Sequence, residues 1–141
     1  INPMNMRNKT ILCVDDDQDD LVMLREVIQE IGYTFEIVEA NDGIMALETL
    51  RQMEAAGRQL PCLIVLDINM PRMDGKQTLV ALKQNPAFAN IPVVVFTTSN
   101  SSLDKTFCAA KKVEMITKPF DYATLFNIAG QLLSYCKMDE S

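Results

Sequence analysis

The chain has 141 residues, a formal net charge of −6, 48% apolar and 23% charged residues. That length suits one domain with a real core, and the acidic balance (pI near 4.6) argues against a nucleic-acid surface, which needs a basic patch. No apolar run approaches the roughly 20 residues that span a bilayer. The start, Ile1 to Asn8, has no apolar segment of a secretory signal and reads as a disordered or cloning-derived N-terminus over 1–9. A cytoplasmic protein with no membrane and no nucleic-acid partner is the resulting expectation.

The first predicted strand, Ile11-Leu12-Cys13-Val14, stops at Asp15-Asp16. Helical spacing of Leu21, Leu24, Ile28 and Ile31 follows, closed by Gly32. Phe35 to Glu39 alternates as an edge strand does, and Asn41-Asp42-Gly43 opens a helix with Ala46, Leu47, Leu50 and Met53 on one face. A third strand, Cys62 to Leu66, stops at Asp67. Pro71 and Asp74-Gly75 lead into a helix carrying Leu79 and Leu82, ended by Asn85-Pro86. The fourth strand, Val93 to Phe96, stops at Thr97, and Ser101-Ser102 caps a weakly apolar helix that ends near the basic pair Lys111-Lys112. Val113 to Thr117 is the fifth strand, stopping at Lys118-Pro119, and Asp121 starts a last helix reaching about Cys136.

Continuous apolar runs fit strands buried on both faces. Five βα units in sequence predict a doubly wound α/β fold with a five-stranded parallel sheet, and 2-1-3-4-5 is the natural order at five strands. The domain is placed at 10–137, with 138–141 as a tail. With only five residues after Cys136, output is expected to be a protein contact rather than an attached domain.

In such a sheet ligands bind outside the carboxyl ends of the strands. Asp15, Asp16 and Asp67 would then meet Thr97 and Lys118 at one edge. Asp17, Asp19 and Asp20 are assigned to helix initiation, as an N-cap and first-turn acids facing the positive end of the helix dipole. Carboxylates crowded at a strand end either hold a proton or a cation. With no imidazole or thiolate in the set, Mg²⁺ or Mn²⁺ is selected over zinc. A divalent ion, an ammonium and a hydroxyl around one carboxylate suit phosphoryl transfer to it. The chain has no histidine, so a Ser-His-Asp triad, a His-ligated zinc and a phosphohistidine carrier are excluded. The four cysteines, Cys13, Cys62, Cys108 and Cys136, show no C-x-x-C spacing and are read as reduced thiols.

The strings Ile11 to Asp17, Leu66 to Gly75, Phe96-Thr97-Thr98-Ser99 and Thr117-Lys118-Pro119-Phe120, in this order, resemble the receiver domain of two-component response regulators, in the stand-alone, chemotaxis-receiver-like form. The resemblance implies phosphorylation of Asp67 by a histidine kinase or histidine phosphotransfer protein, dependent on Mg²⁺. It implies a metal site of Asp15, Asp16, Asp67 and the Asn69 backbone carbonyl. Thr97 would be the switch hydroxyl, Lys118 the phosphate contact, and the Lys118-Pro119 bond cis. Output would pass through the surface of the fourth helix, fifth strand and fifth helix to an unknown downstream protein or a second copy.

The chain departs from the family pattern in two places. Met115 stands where receivers commonly have Tyr or Phe, and the Lys111-Lys112-Val113 loop lacks the usual Ala-Gly. The small, neutral Asn69 and Ser99 offer no general base, so the phosphoaspartate is expected not to be unusually short-lived. Two other readings stay open: a phosphorylation-independent adaptor, and a Mg-dependent phosphatase with an Asp nucleophile. The phosphatase needs a second acid where Asn69 stands. The wide apolar stripe of the last helix, including Phe126, Leu133 and Cys136, is read mainly as core.

Overall fold

Strand β1 (Thr10–Val14) is buried at all five residues, as a strand covered on both faces must be. It pairs in parallel with β2 (Glu36–Ala40) on one side and β3 (Leu63–Leu66) on the other. β4 (Val93–Thr97) adds to β3, and β5 (Glu114–Thr117) adds to β4. The order is therefore 2-1-3-4-5, as the sequence predicts. This computed structural model describes residues 9–32 and 34–136. The expectations for 1–8 and for the 138–141 tail lie outside the described residues.

Five helices connect the strands: α1 (Gln18–Ile31), α2 (Gly43–Ala55), α3 (Gly75–Gln84), α4 (Ser102–Ala110) and α5 (Tyr122–Leu133). Each begins at a side-chain cap that satisfies first-turn amides: Asp17, Asp42, Asp74, Ser101 and Asp121. Alternation along the strands splits the core in two. Ile11, Cys13, Val65, Val94 and Phe96 face α1 and α5, whereas Leu12, Val14, Ile64, Leu66 and Val93 face α2 and α3. A third, small cluster of Ile68, Val95 and Cys108 lies under α4. Among the described residues no helix is long and apolar enough to cross a membrane.

The last helix divides its apolar surface. Leu125, Ala129 and Leu132 are buried and Leu133 packs on the same core, while Phe126 stays exposed. The fourth helix stops at Ala110, and Lys112 takes a left-handed φ of 59° in the turn that follows. There, where the sequence has no Ala-Gly, the chain holds a lysine in a conformation that favours glycine.

One cysteine expectation is corrected. Cys62 and Cys136 form a disulfide with Cα atoms 5.2 Å apart, whereas Cys13 and Cys108 are free and buried. A 3-10 turn after α5 (Ser134–Cys136) returns the chain to the amino end of β3, where Cys62 sits. The partners are 74 positions apart, so no local spacing announces the pair.

Candidate metal and phosphoacceptor site

The ladder continues past the strands and sets the geometry of their carboxyl ends. Asp15 N–H donates to Ala40 C=O at 3.0 Å and Asp67 N–H to Val14 C=O at 2.9 Å. On the other flank Lys118 N–H donates to Thr97 C=O at 2.9 Å. The residues that follow β1, β3 and β5 are thereby fixed by main-chain bonds before any side chain is considered.

Asp15, Asp16 and Asp67 offer carboxylate oxygens within 4.8 Å of one another. Asp15 and Asp67 are buried and Asp16 is exposed. Each buried carboxylate has one oxygen tied to the backbone. Asp15 Oδ1 accepts from Asp17 N–H at 2.9 Å, and Asp67 Oδ1 accepts from Ile68 N–H at 2.7 Å. Their other oxygens face Lys118, whose Nζ donates to Asp15 Oδ2 at 2.6 Å, Asp20 Oδ2 at 2.7 Å and Asp67 Oδ2 at 3.2 Å. An ammonium has three N–H donors, and these three carboxylates take all of them.

Burial raises the Asp15 carboxyl to about 6, aided by the charge of Asp67 and opposed by the bonds from Lys118 and Asp17 N–H. Burial also works against the charge on Lys118, but its bonds to Asp15 and Asp20 and the field of Asp67 outweigh it, holding the ammonium above the ordinary lysine value. The site is therefore anionic around one fixed cation. Its donor set is all oxygen, without imidazole or thiolate, which fits a hard divalent ion. Asp15, Asp16 and Asp67 are the side chains that would hold one.

Thr97 ends β4, is fully buried, and its Oγ1 accepts from Ser99 N–H at 3.2 Å. Asn69 lies exposed in the loop between β3 and α3. Met115 is half-buried on β5, packed against the cluster of Ile68, Val95 and Cys108. The Lys118-Pro119 bond is trans, since no cis bond occurs among the described residues, and the expectation of cis is corrected. Trans is the favoured isomer even before proline, and Lys118 reaches its three carboxylates from it.

Asp20 is the residue whose role the sequence hid. It stands in the first turn of α1, as a helix-initiating acid does. Helical side chains lean toward the amino end, so this one aims back at the strand ends and meets Lys118. A second polar cluster was also unannounced. Asp104, buried in the first turn of α4, accepts from Ser99 Oγ and pairs with Lys76 Nζ of α3.

Fold and site together define a class: a doubly wound α/β domain with a carboxylate-rich, lysine-balanced site where β1, β3 and β5 end. The family model for the response regulator receiver domain matches residues 11–129, and the chain belongs to that family. It is 32% identical over 126 residues to the probable methanogenesis regulatory protein FilR2 of Methanothrix harundinacea, covering 89% of this chain and 81% of that one. It is 39% identical over 97 residues to the response regulator Rcp1 of Synechocystis sp., covering 68% of this chain and 66% of Rcp1. The crystal structure of the phosphorylated cyanobacterial phytochrome response regulator RcpA superposes with a TM-score of 0.82 at 32% identity, covering 95% of this chain and 99% of RcpA. The Mn²⁺-bound form of Rcp1 superposes with a TM-score of 0.78 at 32% identity over 94% and 97% of the two chains. Response regulator receivers are two-component signal-transduction proteins, generally not enzymes. They bind divalent metal and interact with histidine kinases and phosphotransfer partners.

Proposed function

We propose that this receiver accepts a phosphoryl group on Asp67 from a histidine kinase or phosphotransfer protein. The observation that supports this reading is the convergence of Asp15, Asp16 and Asp67 with the Lys118 ammonium at one sheet edge. Asp15, Asp16, Asp67 and the Asn69 backbone carbonyl would hold Mg²⁺, which when bound neutralises charge on the phosphoryl oxygens.

The protein's own part is positioning and electrostatics. Ile68 N–H fixes Asp67 Oδ1 and so the rotamer of the nucleophile. A carboxylate oxygen of Asp67 forms the new O–P bond while the donor's bond to phosphorus breaks and the donor leaves with its electron pair. Lys118 already sits 3.2 Å from Asp67 Oδ2 and stays charged, so the −1.5 to −2 charge of an acyl phosphate develops beside a fixed cation. Thr97 serves as the hydroxyl that turns to the new phosphoryl oxygens, drawing on the loop whose Ser99 N–H it now accepts. Met115 has no ring to follow that movement. The surface of α4, β5 and α5 carries the output, to a downstream protein or a second copy.

Incubation with acetyl phosphate and Mg²⁺, read by intact mass, tests this. Wild type gains one phosphoryl group and Asp67→Asn gains none. Incorporation that persists in Asp67→Asn moves the acceptor elsewhere and overturns the assignment.

A further inference from the structure

Asp42 is a carboxylate only 3% exposed, and the cluster around Asp67 does not use it. Its Oδ1 caps α2, accepting from Met45 N–H at 2.9 Å. Its Oδ2 is engaged separately, by Arg72 Nε at 2.7 Å and by Arg72 Nη2. Capping needs only the first oxygen, so the second belongs to the loop between β3 and α3.

That loop is clamped on both sides. Toward the strand, Gly75 N–H donates to Ile68 C=O at 2.8 Å, and a Cβ at Gly75 would lie 2.1 Å from the Asp67 carbonyl oxygen. Toward α2, Gly43 N–H donates to Met73 C=O at 3.1 Å. Between these points Arg72 is held at φ 63°, a left-handed conformation that is unfavourable for a residue with a Cβ. Such backbone persists only where its surroundings impose it. The turn is closed across Arg72 by Met73 N–H donating to Pro71 C=O at 2.7 Å. The Arg72 side chain, largely exposed, ties that turn to α2 through its charge-assisted bonds to the buried Asp42 carboxylate. The Met45 N–H bond, joined by the Arg72 guanidinium, holds the Asp42 carboxyl below the usual carboxylate range despite its burial.

We propose that Asp42 and Arg72 are positioning residues for the divalent-cation site. Their ion pair holds the β3–α3 loop, and Asn69 with it, in the conformation the cation uses beside Asp15, Asp16 and Asp67. This rests on the receiver reading above. Neither residue touches the cation; both act through the loop.

The test is Mn²⁺ binding to the full unphosphorylated chain, followed by the electron paramagnetic resonance signal of free Mn²⁺. Arg72→Gly removes the guanidinium and relieves the φ strain, so the loop loses its tether without a new clash. Asp42→Asn keeps an acceptor for Met45 N–H and replaces the oxygen that accepts from Arg72 with an amide NH₂, so both the charge and the bonds to the guanidinium are lost. Each is expected to weaken Mn²⁺ binding about 10-fold, as loss of a group that orients a metal ligand does. The double variant is expected to go little further, because the pair acts as one unit. The Mg²⁺ requirement for phosphorylation by acetyl phosphate should rise in parallel, with the rate at saturating Mg²⁺ nearly kept. A purely structural role would lower the melting temperature without moving either quantity. Mn²⁺ affinity within about twofold of wild type in folded Asp42→Asn overturns the positioning role alone. Absence of Mn²⁺ uptake by wild type overturns the receiver reading and this inference together.

Discussion

The middle of the sheet and its α4–β5 flank are built on different terms. β1 and β3 are buried at every position and carry helices on both faces. α4 buries only Asp104 and Cys108, and β5 leaves Glu114 and Thr117 exposed. Leu103 of α4 is 77% exposed, whereas Leu12 and Leu66 in the middle are 0%. The middle is thus held by apolar packing, and the flank in large part by a polar tie, Ser99–Asp104–Lys76. Elements with few buried apolar contacts sit at the low end of local stability, and moving parts come from there. The phosphoacceptor candidate stands on the densely packed side and Thr97 at the border of the sparsely packed one.

Several experiments would break or sharpen that contrast. The largest effect is expected from the disulfide, which joins the start of β3 to the turn after α5 and closes a loop of 74 positions. In the chain-entropy model its reduction costs about 4 kcal/mol, read as a shift in denaturation midpoint between oxidised and reduced protein. Looser docking of α5 should accompany it, because the staple anchors the turn that directly follows that helix.

Next comes Leu66→Ala in the middle, expected to cost about 2–5 kcal/mol by chemical denaturation. Leu103→Ala on the flank should change stability by less than about 0.5 kcal/mol. Equal costs at the two leucines would erase the contrast.

Asp104→Asn is expected to cost about 1–3 kcal/mol, since it removes the charge that Lys76 and Ser99 engage. Most of this should appear as faster amide exchange in α4 and the preceding loop, with β1 and β3 unchanged. Exchange that rises uniformly over the sheet would show that the flank is not a separate unit.

The smallest effect is on the pH profile. Bonds from Lys76 and Ser99 to Asp104, and from Met45 N–H and Arg72 to Asp42, hold both carboxyls below their ordinary range. A folded pKa below the unfolded one adds stability that is complete above the unfolded value. That stability is lost as pH falls through the folded value. Stability should therefore decline on acidification below the usual Asp range, and Asp104→Asn should flatten part of that decline. A profile unchanged by Asp104→Asn would remove the tie from the account.

The order 2-1-3-4-5 came from what is usual for five parallel strands, whereas the five βα units and the convergence of Asp15, Asp16, Asp67 and Lys118 were legible in the chain itself. Local patterns carry that information: four apolar runs of buried strands, each stopped by a polar residue, and capping side chains at each helix start. Even the Met115 substitution and the missing glycine before β5 could be read by position, the latter realised as Lys112 at φ 59°.

Tertiary structure alone decided what depends on direction or long-range approach. A carboxylate in a first helical turn looks like any helix-initiating acid, and only the placement of the start of α1 beside the ends of β1 and β5 brings Asp20 within 2.7 Å of Lys118. Cys62 and Cys136 meet because α5 returns along the sheet to the amino end of β3, a contact no spacing rule contains. The same holds for Asp42 with Arg72 and for Asp104 with Lys76, pairs drawn from loops and helices separated in sequence. Periodicity fixes which face of an element is apolar. Where two polar side chains end up relative to each other is set by how those elements pack.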